Sequence, residues 1–288
     1  MTPQRTKRPP VPRRPSNGSN GPARGTYASR KKPTVPSANA GPPLPRDEGQ
    51  QRIAKLLARA GIASRREIER MIEDGRIALD GVKVTTPATL LDNLNGVTVD
   101  GKAVAPAAAS QLYLFYKPSG CLTAERDPKG RATIYDKLPP GLPRLIPVGR
   151  LDYTTEGLLL LTNDGELKRK LELPSTGVIR TYRARAFGTI DQATLDQLAD
   201  GITIDGFRYG SIIANLERRT GRNGWIEMSL TEGKNREVRN VLEHLGLQVS
   251  RLIRTAYGPF NVEGMEMESG DVGEVPREAL FRFRQELR

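Results

Sequence analysis

The sequence predicts an α/β chain of the α+β kind: a small helix-helix-hairpin domain, then a larger domain on a mixed, largely antiparallel sheet. Three observations predict it. Helical spacing of apolar residues between Gln51 and Gly75 gives way to two short β-type runs around Asp80-Gly81. The unbroken apolar run Leu158–Leu161 reads as a buried strand, with strand-like and helix-like segments alternating after it. Ahead of both lies a stretch rich in proline and arginine in which leucine appears once, at Leu44.

Residues 1–48 contain ten Lys/Arg against two Asp/Glu, and eleven of the 22 prolines. Such a segment cannot bury enough apolar surface to offset its ordering entropy, so residues 1–49 are expected to form a disordered basic tail. It suits either a nonspecific electrostatic arm or a solubilising leader. The prolines argue against an amphipathic presequence.

The small domain is expected over 50–97. Ile53, Leu56 and Leu57 share a helix face that ends at Ala60-Gly61. Ser64-Arg65-Arg66-Glu67 reads as a capping box opening a second helix, with Ile68, Met71 and Ile72 on its apolar face. Asp80-Gly81 is a tight turn between strands. After a linker at 98–110, the larger domain is expected over 111–280, leaving 281–288 as a terminal tail. Its expected elements are a strand at Leu112–Tyr116 ending in the turn Lys117-Pro118-Ser119-Gly120, a buried strand at Leu158–Leu161, and a helix after Asn163-Asp164-Gly165. Then come a strand at Thr181–Phe187, a helix capped by Asp191, strands at Trp225–Leu230 and Val249–Arg254, and an amphipathic helix over Asn235–Leu245.

Composition narrows the chemistry. Lys plus Arg number 45 against 33 Asp plus Glu, a formal charge of +12, with a pI near 10.0. That balance favours a polyanion, because each neutralised phosphate releases counterions. No run reaches the ~18 apolar residues of a spanning helix, and no export signal is apparent, so a membrane role is not expected and the chain is placed in the cytoplasm. One cysteine, Cys121, and one histidine, His244, exclude an internal disulfide and a Cys/His zinc site. Both read as structural.

In Gly149-Arg150-Leu151-Asp152-Tyr153-Thr154-Thr155-Glu156-Gly157, a carboxylate sits in a polar loop just before the buried strand. A rigid scaffold presents reactive groups from such places. By itself Asp152 reads equally as a loop cap for Thr154 or Thr155 or as a nucleophile.

The phrases Lys55-Leu56-Leu57-Ala58, Gly61-Ile62-Ala63-Ser64-Arg65-Arg66 and Gly75-Arg76-Ile77-Ala78-Leu79-Asp80-Gly81 resemble the S4 RNA-binding domain. The resemblance implies RNA contact by Arg65, Arg66 and Arg70. Positive charge in a first helical turn opposes the macrodipole, which a phosphate partner would relieve.

The string from Gly149-Arg150-Leu151-Asp152 through Leu158-Leu159-Leu160-Leu161-Thr162-Asn163-Asp164-Gly165 resembles the central motif of the ribosomal RNA pseudouridine synthases that carry an N-terminal S4 domain. Lys117-Pro118-Ser119-Gly120 resembles the family's first motif. Glu232-Gly233-Lys234-Asn235-Arg236-Glu237-Val238-Arg239 resembles its third, in the form of the large-subunit (23S) subgroup. That resemblance implies isomerisation of a specific uridine. Asp152 would be the nucleophile on a flipped-out nucleotide, Tyr182 would stack on the base, and Arg239 would hold the carboxylate ionised. Lys117, Arg150, Lys234 and Arg236 are further RNA-binding candidates, Arg236 and Lys234 being alternatives for the carboxylate. The reaction oxidises nothing and loses no group, so no metal or organic cofactor is expected. The expected partner is ribosomal RNA, free or within a large-subunit assembly intermediate, and the chain is expected to be a monomer. A noncatalytic RNA-binding factor is the principal rival. A glycoside hydrolase would need a second carboxyl across the bond, and Glu156 is the only acidic residue close by in sequence.

Overall fold

The structure, a computed structural model, describes residues 49–287. The basic tail expected over 1–49 lies almost wholly outside the described residues.

The small domain opens with α1 (Ile53–Arg59) and α2 (Arg65–Glu73). Ser64 caps α2, its Oγ accepting from the Glu67 amide at 3.2 Å. The reciprocal half of the expected capping box is replaced, since the Glu67 carboxylate takes Arg70 Nη1 at 3.2 Å. Ile53, Leu57, Ile68 and Ile72 pack on Ile77 and Val97 of a four-stranded sheet. Its strands β1 (Ile77–Leu79), β2 (Val82–Lys83), β3 (Val97–Val99) and β4 (Lys102–Ala103) lie in the order β2-β1-β3-β4. Asp80 and Gly81 both have positive φ, as a two-residue hairpin turn requires. Asp100 and Gly101 repeat that conformation. The segment expected as a linker over 98–110 therefore begins with a hairpin, and the small domain runs on to Ala103.

The larger domain is built on a nine-stranded sheet. Its main path uses β5 (Leu112–Lys117), β6 (Thr155–Thr162), β7 (Arg180–Phe187), β8 (Ile212–Thr220), β9 (Asn223–Leu230), β10 (Gln248–Tyr257) and β11 (Val272–Glu274). The order is β8-β9-β7-β10-β6-β5-β11, and all neighbours are antiparallel except β10 and β6. The mixed, largely antiparallel sheet is the expected one. β8 was not anticipated as a strand.

At the parallel join the backbones approach closely. Gly157 in β6 has φ +101°, and a Cβ there would lie 2.3 Å from the Arg254 carbonyl oxygen of β10. Only glycine fits that combination of conformation and contact.

Alternation along the strands divides the sheet into two faces. One face of β5 and β6, with Leu112, Leu114, Leu158 and Leu160, is covered by α3 (Gly165–Glu172) and α6 (Arg277–Glu286). Leu280 and Phe283 of α6 are buried, and Phe283 meets Phe260 edge-on at 5.2 Å. The segment 281–287, expected as a tail, thus completes α6 and buries Phe283 and Leu287 in the core. On the other face of the same strands, Phe115, Leu159 and Leu161 pack with Ile134, Leu145 and Leu151. That second face continues across β7 and β9, where Ala184, Ala186, Ile226 and Met228 lie under α4 (Gln192–Asp196) and α5 (Glu237–His244).

The domains meet at the start of α3. Lys55 pairs with Glu166, and Arg59 Nη1 donates to the Asn163 carbonyl at 3.4 Å. Asp164 caps α3 by accepting from the Glu166 and Leu167 amides, and lies 3.9 Å from Arg59 and 3.7 Å from Arg284.

Replacing Gly157 by alanine should break the β6–β10 join. The expected loss is about 3 kcal/mol of unfolding free energy or more. Urea denaturation measures it, and a midpoint equal to wild type would contradict the tight approach.

Candidate active site

The loop Gly149–Thr154 precedes β6 and is held by its main chain. Leu151 is buried, its amide and carbonyl both bonded to Thr123 Oγ1, at 3.2 and 2.8 Å. The Gly149 amide donates to Glu172 Oε1 at 2.6 Å. The ammonium of Lys117, fully buried at the end of β5, donates to the carbonyls of Pro118 (3.0 Å), Asp152 (3.2 Å), Tyr153 (3.5 Å) and Thr155 (2.8 Å). Burial pulls the Lys117 pKa down, while Cys121, Asp152 and Glu156 act against that shift. Lys117 was expected to reach RNA. Its side chain is instead sealed beneath the loop and joins the first motif to the central one.

On this locked backbone the Asp152 side chain is 38% exposed, with Oδ2 3.6 Å from Nη1 of Arg236. Arg236 stands just before α5 with φ 49°, a left-handed conformation that costs a non-glycine residue about 1–2 kcal/mol. Strain of this kind tends to gather where a side chain must be aimed. Arg236 also approaches Glu243 at 3.8 Å.

Arg239, expected to pair bidentately with Asp152, does something else here. It is 7% exposed, Nη2 donating to Thr154 Oγ1 at 3.2 Å and Nη1 to the Val249 carbonyl at 3.4 Å. It lies close enough to Asp152 to feel its charge, but burial and the neighbouring Arg236 are the larger influences and lower its pKa. Of the two arginines on this helical turn, Arg236 takes the carboxylate and Arg239 ties the loop to β10.

Tyr182 in β7 is half-buried and packs against both clusters of this face, one containing Leu151 and the other Val238. It therefore sits at the seam between the Asp152 loop and α5. Arg150 is exposed. Arg65, Arg66 and Arg70 are exposed on α2, with Arg70 paired to Glu67. Lys234 is committed to Glu232, at 2.8 Å, and to the Arg208 carbonyl at 2.6 Å, and lies over the Tyr209 ring. Its place among RNA-binding candidates is weakened accordingly. His244 ends α5 and is exposed, and Cys121 is buried and free. Among the described residues no group of three or more His, Cys, Asp or Glu could hold a metal ion, and no helix is long and apolar enough to cross a membrane.

Sequence reasoning missed a carboxyl pair behind Arg236. Glu237 is 3% exposed; its Oε2 accepts from the Lys234 amide at 2.9 Å. Its Oε1 is buried without a hydrogen-bond partner. Glu232 in turn accepts from the Gly210 amide at 2.7 Å. Burial, then Glu232, pushes the Glu237 pKa up to about 8. The carboxyls stand five residues apart on a turn and a helix start, a spacing with no periodic signature.

A nine-stranded sheet joined to an S4-like domain, with a half-exposed aspartate just ahead of β6, is the architecture of an RNA-modifying enzyme of the pseudouridine synthase fold. The comparisons agree. The RNA pseudouridylate synthase family profile matches residues 111–244, and that of the S4 domain matches 51–93. A Rickettsia bellii RNA pseudouridine synthase is 45% identical over 216 residues, covering 75% of this chain and 93% of its own. The ribosomal large subunit pseudouridine synthase B of Salmonella typhi is 42% identical over 216 residues, covering 72% and 74%. The crystal structure of a pseudouridylate synthase superposes with a TM-score of 0.55 at 22% identity, covering 79% of this chain and 96% of that one. The chain belongs to the RNA pseudouridine synthase family.

A raised carboxyl pKa fixes the sign of a pH dependence. The fold favours protonated Glu237, so its stabilising contribution is full below the ordinary value of 4.5 and is lost as pH rises towards 8. Glu237→Gln keeps the shape and the donor without the charge. Its Tm should exceed that of wild type by about 4–8 °C at pH 8.5 and match it near pH 4.5. Parallel melting curves across that interval would exclude the raised pKa.

Proposed function

We propose that this chain converts a specific uridine of large-subunit (23S) ribosomal RNA, free or in an assembly intermediate, to pseudouridine, acting as a cytoplasmic monomer with Asp152 as nucleophile on a flipped-out nucleotide. The observation that carries the reading is Asp152 itself, a half-exposed carboxylate beside Arg236 on a backbone locked by Lys117. The large-subunit assignment is supported by relatives named for that activity, at 42% identity.

The chemistry asks little beyond position. The carboxylate attacks, the N-glycosidic bond breaks, and the detached base turns and rejoins through carbon 5, freeing the carboxylate; the carbon 5 proton passes to solvent and N1 takes one up, so the RNA keeps its composition. Fixing the loop keeps the attacking oxygen in place, the kind of orientation that lowers a barrier without a cofactor. Arg236, 3.6 Å from the carboxylate, aims it. Extruding the nucleotide costs a few kcal/mol. A base stacked on Tyr182 would recover about 1–3 kcal/mol of it. Arg65 and Arg66, exposed on α2, are placed to meet phosphates of the same RNA, as is Arg150 at the loop.

Two experiments test this reading. Tritium release from 5-tritiated uridine in 23S ribosomal RNA should fall more than about 1,000-fold in Asp152→Asn, with RNA affinity nearly unchanged. Release at the wild-type rate would dismiss Asp152 as the nucleophile. In Arg65→Ala/Arg66→Ala the salt dependence of RNA binding should flatten by about one unit of slope per lost contact. An unaltered slope would take α2 out of the interface.

A further inference from the structure

The face of the sheet turned away from Asp152 carries a row of residues that the site does not use. Cross-strand register aligns Arg218 of β8 with Trp225 of β9, Trp225 with Arg185 of β7, and Arg185 with Arg251 of β10. Four adjacent strands thus present Arg-Trp-Arg-Arg in a line spanning about 14 Å, three strand spacings of roughly 4.8 Å each. Parity fixes the side. Arg185 lies between Ala184 and Ala186, Trp225 beside Ile226, and Arg251 beside Leu252, and all four of those apolar neighbours are buried under α4 and α5. The row must therefore point to the opposite face. Tyr182 has the parity of Ala184, and Arg236 leads into α5, so the Asp152 site lies on the buried side.

Charge along the row is unbalanced. Arg251 is held bidentately by Glu156, at 2.7 and 3.0 Å. Arg183, one row along, is saturated by Glu217 and Glu263 and lies 5.2 Å over the Trp225 ring. That consumes the paired carboxylates of this face and leaves Glu227 to mark the edge of the positive patch. Arg185 and Arg218 are exposed, and among the described residues neither guanidinium has an ion pair. Arg222, at the β8–β9 turn, lies 4.6 Å over Phe187, itself 40% exposed. Arg251 has its carboxylate in Glu156, whereas Arg185 opposite it and Arg218 two strands away keep uncompensated charge on the same face. Guanidiniums interleaved with flat aromatic rings match a phosphodiester chain whose bases or sugars rest on the rings.

We propose that this open face is a second RNA-docking surface, on which Arg218, Arg185 and Arg222 take phosphates of the substrate RNA while Trp225 packs against it. It goes beyond the Asp152 site and rests only on RNA being the substrate. The enzyme then grips one RNA at two places, with the sheet between them.

Trp225 is the sole tryptophan and reports on the face directly. In the full-length Asp152→Asn protein titrated with 23S ribosomal RNA transcript, acrylamide quenching of Trp225 should fall at least twofold on RNA binding. Arg185→Ala/Arg218→Ala should raise the RNA Kd about tenfold at low salt and lessen the salt slope by about two. Its single-turnover tritium release at saturating RNA should stay within twofold of the enzyme with both arginines. Trp225 equally accessible in the complex, or a double variant binding with unchanged Kd and slope, overturns the proposal. The quenching readout needs no variant on this face to fold. Because binding is read without turnover, absence of isomerisation counts against the Asp152 reading, and absence of Trp225 protection against this face.

Discussion

A single buried ammonium gathers the parts of the site. Lys117 ends β5 with its charge sealed in the core, and four main-chain carbonyls around the Asp152 loop substitute for water. An isolated buried cation is strongly disfavoured, so the loop has little freedom to leave it. Removing Lys117 would cost more than four hydrogen bonds, because the carbonyls would stay behind with nothing to bond. Asp152 is consequently held through its backbone, leaving its side chain open to solvent and to Arg236.

The sheet does the rest by parity. Residues of one parity bury the core beneath α4 and α5 and place Tyr182 beside the loop. Those of the other parity are shielded by α3 and α6 over β5, β6 and the neighbouring ends of β7 and β10 at Arg180 and Tyr257. Over β8, β9 and the remainder of β7 and β10 they stay open, and there the basic and aromatic side chains accumulate. Two surfaces of different chemistry arise from one strand pattern.

Much of this was legible in the residues. The Asp80-Gly81 turn, the Ser64 and Asp191 caps and the Leu158–Leu161 strand follow from local chemistry, and local chemistry is what a sequence displays. Asp100-Gly101 carries the same turn signal as Asp80-Gly81, between strands of the same lengths, and was read as linker all the same. α6 was missed because its apolar positions Leu280 and Phe283 are flanked by charge and gain meaning only against Phe260 and Val178. Within the site, Asp152 and Tyr182 stood out through motif resemblance. What each cation touches was not readable. Lys117, Arg236 and Arg239 look alike as letters, and burial alone separates a loop clamp from a carboxylate partner from a strap to Val249. The raised pKa of Glu237 is invisible for the same reason, since it comes first from exclusion of water.

The parallel join at Gly157 has one more implication. Asp152 stands just ahead of β6, and Tyr182 lies on β7, with β10 between them. Since Gly157 brings β6 against β10 with no space for a methyl group, the two side chains sit on opposite banks of a seam that cannot slide or gape. A clamp that tightened around its nucleotide by spreading these strands is closed to this architecture. Any RNA that this enzyme takes up meets Tyr182 and Asp152 across a strand junction whose spacing is set by a missing methyl group.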